Sequence, residues 1–203
     1  ESIYRSPLSA ILPAGPTALV VDESYVPEVT DIGERHPVTS GLSQDGPWGE
    51  WLRMVELVPE RGHVVMRGAG ERPLLVLDRT GAGRVALLAS DQAWLWARGY
   101  DGGGPQLELL RRLAHWMMAE PDLEEEALWG EANGQNMRIF RRSLEPEVGA
   151  VEVETPSGDT VQLPLVVIEP GLFEDLGIVL RACSEERTDL GLGEEPRLFP
   201  RDR

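Results

Sequence analysis

The stretch from Gly83 to Pro105, GRVALLASDQAWLWARGYDGGGP, constrains this chain more than any other. It opens on RVALLA, a run short and aliphatic enough for a buried strand. It then breaks into a loop carrying Asp91, Trp94, Trp96, Arg98, Tyr100 and Asp101. Gly102, Gly103, Gly104 and Pro105 follow, and after them a helical pattern begins. Strand, decorated loop and helix in that order is where open α/β proteins place their binding sites. The loop is therefore the candidate site, and it lacks an obvious nucleophile.

The surrounding pattern predicts further elements. TALVV (Thr17–Val21), HVVMR (His63–Arg67) and PLLVLD (Pro73–Asp78) read as strands, while WLRMVELV suits a helix or a strand. PLLVLD and RVALLA are joined by RTGAG, a glycine-bearing connection that suits a hairpin at the edge of an otherwise parallel sheet. From Pro105 to Glu120 the spacing predicts a helix, with Pro105 at its first position. Glu108, Arg111, Arg112 and His115 form its polar face, and Leu109, Leu110, Leu113, Trp116 and Met117 cover most of the remaining circumference. From Asn136 to Cys183 the helical period is lost. MRIFRR, AVEVET, TVQLPLVVI and LGIVLRA, separated by turn signals such as TPSGD and EPG, predict short strands of a small immunoglobulin-like sandwich.

Charge and composition narrow the function classes. The net charge of −16 argues against nucleic acid, since phosphate binding needs clustered basic side chains. It argues equally against docking on an anionic membrane surface. No apolar run reaches the roughly 18–20 residues that a membrane span requires. The chain opens on Glu1 rather than Met and reads as a piece of something longer. The single Cys183 excludes an internal disulfide, and Glu185 and Glu186 beside it disfavour a thiolate. His36, His63 and His115 lack metal-ligand spacing, so neither a metal site nor a cofactor is expected. The acidic runs DLEEE and SEERTD read as solvated faces.

SIYRSPLSAILP, HPVTSGL (His36–Leu42) and the long run from RPLLVLDRTGAGRVALLASDQAWLW through EPDLEEEAL resemble the class I glutamine amidotransferase-like proteins, including their trehalose-utilisation (ThuA-like) branch. The nearer likeness is to the bacterial membrane proteins described as glutamine amidotransferase-like, and it covers residues 2–128. The resemblance implies an α/β fold: the later portion of a flavodoxin-like three-layer domain, over residues 1–130. An immunoglobulin-like β domain at 131–185 and a tail or linker at 186–203 complete the reading. It also implies the soluble region of a bacterial inner-membrane protein, on the periplasmic side, with its anchor outside this segment. Amidotransferases of this class carry G-x-C-x-G and a later His-x-Glu, and neither occurs here.

The expected function is accordingly a pseudoenzyme that binds a protein or cell-envelope component, with no catalytic residues. A hydrolase or amidotransferase completed by residues outside this segment is the alternative, as is a carbohydrate-binding module. The ligand-binding candidates are Asp91, Trp94, Trp96, Arg98, Tyr100 and Asp101, with His36 as a further lining residue. Each has a structural counterpart. Trp94 and Trp96 would pack the loop on the sheet, Asp91 would cap a turn, and HPVTSGL would be a structural turn.

Overall fold

The computed structural model describes residues 3–42, 46–133, 136–154, 158–175 and 178–179. The strands of the first part are β1 (Ala14–Val21), β2 (Glu28–Val29), β3 (Met54–Pro59), β4 (His63–Arg67), β5 (Pro73–Thr80) and β6 (Gly83–Leu88). Their helices are α1 (Asp31–Arg35), α2 (Trp94–Ala97) and α3 (Gln106–Met117). The later strands are β7 (Ala127–Asn133), β8 (Asn136–Arg142), β9 (Val151–Glu154), β10 (Thr160–Leu163), β11 (Leu165–Glu169), β12 (Leu172–Asp175) and β13 (Ile178–Val179).

Every strand pair among the described residues is antiparallel. The expected flavodoxin-like three-layer α/β domain is therefore overturned. The physical reason lies in the connections. Parallel neighbours need a crossover of about a dozen residues, usually a helix, whereas β5 turns into β6 across Gly81 and Ala82 alone, and β4 reaches β5 through Gly68–Arg72. The result is a sheet in the order β2-β4-β5-β6, with β1 and β3 forming a separate two-stranded ribbon. The hairpin expected around RTGAG is present, but its neighbours are antiparallel too.

The immunoglobulin-like sandwich is also replaced. The second part forms a five-stranded sheet in which β8 lies between β7 and β12, with β11 outermost beside β12. β13 pairs with the start of β8, and β9 and β10 make a hairpin of their own. An immunoglobulin unit instead faces a four-stranded sheet with a three-stranded one. TVQLPLVVI divides into β10 and β11 at Pro164, which cannot donate to a ladder. Cys183, SEERTD and most of LGIVLRA lie outside the described residues.

One core dominates. Leu74–Leu77 of β5 are buried on both faces of the strand, as befits a central position. Around them pack Met54, Val65, Met66, Trp51, Leu109 and Trp116. Pro105 precedes α3 instead of occupying its first position, and the helix ends at Met117. Leu109, Leu113 and Trp116 face inward, but Leu110 and Met117 are exposed. α3 packs against β6 alone among the strands it meets most closely, so a stripe and not most of its circumference is covered.

The acidic run after α3 is not a solvated face. Glu124 pairs with Arg79 and Arg84, and the buried Glu125 accepts from Arg79 Nε at 2.5 Å and from Trp116 Nε1 at 3.0 Å. Glu126 accepts from Ser143 Oγ at 2.8 Å and from Leu144 N–H at 3.0 Å. Three consecutive carboxylates thus tie together the β5–β6 hairpin, α3 and the segment just after β8.

Candidate functional site at the tryptophan loop

The segment after β6 is held down before it displays anything. Ser90 Oγ donates to the Arg53 carbonyl at 2.6 Å and accepts from Gln92 N–H at 3.2 Å, so Ser90 and not Asp91 closes the turn. α2 then makes a single helical turn. Residues two apart on a helix point about 200° apart, which sends Trp96 inward and Trp94 outward. Trp96 is 3% exposed and Trp94 54% exposed.

Trp96 is the anchor. Its ring lies 4.8 Å from that of Trp51 and 5.1 Å from that of Trp48, and its Nε1 donates to the Gly49 carbonyl at 2.8 Å. Gly49 N–H returns a hydrogen bond to the Gly103 carbonyl at 2.6 Å. A Cβ at Gly104 would sit 2.5 Å from the Trp96 ring, so only glycine allows this approach. Leu52 N–H donates to Gln92 Oε1 at 2.6 Å and Glu50 N–H to Asp101 Oδ2 at 3.3 Å. The GPWGEW segment and the loop are therefore one stitched unit. Trp48 and Trp51 belong to its core, with their indole N–H groups unpartnered among the described residues.

What faces solvent is a different set. Asp91, Trp94, Arg98, Tyr100 and Asp101 are exposed, with Tyr100 at 43%. Asp101 adopts a left-handed backbone at φ 47°, and its carboxylate is used by Glu50 N–H. No ion pair joins it to Arg98 among the described residues. Beside the loop, an open cleft of about 430 Å³ lies between the start of β3 and the end of β6, lined by Arg53, Val55, Leu88, Ser90 and Asp91. Val55 N–H donates to the Ala89 carbonyl at 2.8 Å at its inner end. Arg53 reaches Asp22 at 3.3 Å across the rim.

His36 is placed elsewhere. It is buried beneath α3, its ring edge-on to Trp116 at 5.7 Å, and its Nδ1 accepts from Val38 N–H at 3.2 Å. Burial first, and then the neighbouring His63, Arg79 and Arg84, push its pKa down to about 4 against an opposing pull from Glu125. Glu125 is held at about 2: burial raises it, but hydrogen bonds from Arg79 and Trp116 outweigh that. HPVTSGL thus serves as a packed turn, with Thr39 Oγ1 donating to the Gly33 carbonyl at 2.7 Å. His63 is exposed at the start of β4, and His115 pairs with Glu120 on the helix surface.

The structure brings together Asp91, Trp94, Trp96, Arg98, Tyr100 and Asp101, and adds Arg53, Ser90 and Gln92, which the motif reading did not single out. The polar SDQ start of the loop was the available signal. Among the described residues no group of three or more His, Cys, Asp or Glu is gathered as a metal would need. No described helix is long and apolar enough to cross a membrane.

Comparison with known proteins assigns no family. No family model and no curated protein matches the chain. Among solved structures, the crystal structure of beta-galactosidase from Bacillus circulans sp. alkalophilus matches with a TM-score of 0.32 and 12% identity. The match covers 86% of this chain and 26% of that one, so this chain spans about a quarter of its length. A superposition that loose carries no argument about fold or activity.

Proposed function

We propose that the chain is a non-catalytic recognition module that holds a protein or cell-envelope component against the tryptophan loop. The observation that carries this reading is the division of labour in the loop. Trp96 and its hydrogen bonds fix the backbone, and Trp94 and Tyr100 stand outward on it beside Asp91 and Arg98. Large aromatic side chains on a preorganised backbone bind without a large ordering cost. Among the described residues the hydroxyl that lines the cleft is Ser90, which donates its hydrogen bond to a main-chain carbonyl, as suits a turn and not a nucleophile. The likeness to amidotransferase-like bacterial membrane proteins supplies the setting we propose, a soluble region on the periplasmic side of the inner membrane.

The test is co-sedimentation of the purified chain with isolated bacterial envelopes, alongside a Trp94→Ala/Tyr100→Ala variant. The variant is expected to lose at least about tenfold in binding while its thermal midpoint stays unchanged. Equal sedimentation of both proteins overturns the loop as the binding face. Release of ammonia from glutamine by the purified chain overturns the non-catalytic reading.

A further inference from the structure

A second surface, sharing no residue with the loop, has the form of a strand-docking site. β11 is the outermost strand of its sheet, paired only with β12 among the described strands. Val166, Val167 and Ile168 are 41%, 60% and 43% exposed. Successive residues of a strand point to opposite faces, so exposure at all three leaves both faces of β11 uncovered, and its edge away from β12 is unpaired among the described strands. Such an edge is usually blunted by charge, brevity or a cover. β2 is two residues long, β6 lies against α3, and β7 carries Gly130 and Glu131. The apolar run LVVI in β11 has none of these devices within it. Pro164 and Pro170 bracket it and limit pairing to this short length.

Alongside the edge, a cleft of about 320 Å³ opens between α1 and the β11–β12 hairpin. Val167, Pro170 and Phe173 give it an apolar floor, and Asp31, Glu34 and Arg35 form its α1 side. The Arg35 guanidinium is turned to the Leu144 carbonyl, with Nε donating at 2.5 Å. The α1 side of the cleft thus carries two carboxylates, Asp31 and Glu34, against the single guanidinium of Arg35, and Glu169 stands at the end of the strand.

We infer that β11 and this cleft receive an extended segment of a partner protein that alternates apolar and basic residues. The segment adds to the open edge through main-chain hydrogen bonds, the source of affinity in strand addition. Its apolar side chains cover Val166 on one face. Its basic side chains enter the cleft on the Val167 face, beside the exposed Asp31. A second copy of this chain is the poorer occupant, because each copy carries a net charge of −16 and β11 itself offers no basic residue. This inference goes beyond the loop-face reading and stands or falls separately from it.

The test uses the full chain and a short blocked peptide alternating arginine and valine, titrated by heteronuclear NMR. Two control peptides replace arginine by glutamate, or every second valine by proline. The arginine–valine peptide is expected to shift the amides of β11, β12 and α1 and to leave those of the tryptophan loop in place. Val167→Arg and Asp31→Asn should each weaken it by about tenfold, with the remaining spectrum unchanged. Both sites are on the surface, so the fold should tolerate the changes, and the spectrum reports directly if it does not. The inference is overturned if the peptide fails to bind, or if the proline control binds equally well, which would leave charge alone. It is also overturned if sedimentation shows a dimer that Val167→Arg dissociates, since a second copy would then own the edge.

Discussion

The sheet built on β5 and the sheet built on β8 are held together in different ways. Around β5 lie almost all of the fully buried large side chains, and the hydrophobic core extends from Ala14 to Trp116 without reaching the second sheet. Around β8 the buried apolar side chains among the described residues are Ile139, Phe140, Leu144 and Phe173. That sheet relies on surface pairings. Trp129 stacks on Phe140 at 5.4 Å, Arg142 lies over Trp129 at 5.7 Å, and Arg138 covers Phe140 and pairs with Glu174. The buried Asp175 accepts from Ile139 N–H at 2.7 Å. Burial of apolar area contributes most of the free energy in folding, and exposed ion pairs contribute little. The first sheet should therefore be the stable unit, and the second should open more readily.

The largest expected effect tests the stable side. Trp116 is 1% exposed, meets His36 edge-on and gives its indole N–H to Glu125. Trp116→Ala should cost about 3–5 kcal/mol, read as a fall in the urea midpoint by circular dichroism. A loss no larger than that of a surface substitution would break the contrast between the two sheets.

Acid should weaken the same unit in two stages. His36 has its folded pKa lowered from 6.5 to about 4. Between those values the unfolded chain binds the proton and the folded chain does not. Its contribution is fully present above about pH 6.5 and is lost as pH falls towards 4, by roughly 3 kcal/mol in total. Glu125, held at about 2, acts lower: its contribution is present above the ordinary carboxylate range and drains away as pH falls towards 2. Urea midpoints from pH 7 to 4 should therefore fall in the native chain and flatten in His36→Gln. An unchanged slope in that variant would assign the loss to other groups.

A smaller effect is expected at Trp129. Half-buried and stacked between Phe140 and Arg142, it should cost about 1 kcal/mol on replacement by Ala. Hydrogen exchange should speed up in β7 and β8 while the amides of β5 stay protected. Faster exchange in β5 as well would mean that the sheets unfold as one, and that their different packing has no energetic consequence.

How much of this was legible in the residues follows from the range of the forces involved. HVVMR and the hairpin of PLLVLD with RVALLA are short-range features, written in apolar runs and glycines a few residues apart. Sheet direction is not written in those runs. PLLVLD suits a parallel strand as well as an antiparallel one, and the brevity of its connections to HVVMR and RVALLA makes both of its neighbours antiparallel. EEE reads as solvent-facing because Arg79 and Arg84, its partners, are some forty residues upstream. In the loop, Trp94 and Trp96 look equivalent until one turn of helix separates them. The candidate site was therefore visible as a list of residues, and the distinction between anchor and display came only from backbone geometry.

That distinction supplies the smallest expected effect and the sharpest reading of the loop. Trp94 is 54% exposed and Trp96 3%, although both are tryptophans on the same turn. Trp94→Ala removes no core contact and should change stability by no more than about 0.5 kcal/mol. Trp96→Ala, by contrast, removes the ring packed between Trp48 and Trp51 and strands the Gly49 carbonyl. Thermal unfolding of the two variants side by side decides the matter. If Trp94→Ala destabilises as Trp96→Ala does, the outer tryptophan is part of the framework, and the loop loses its claim to a displayed binding residue. If Trp94→Ala is silent in stability, its conformational role is spent, and any effect it has on binding belongs to recognition.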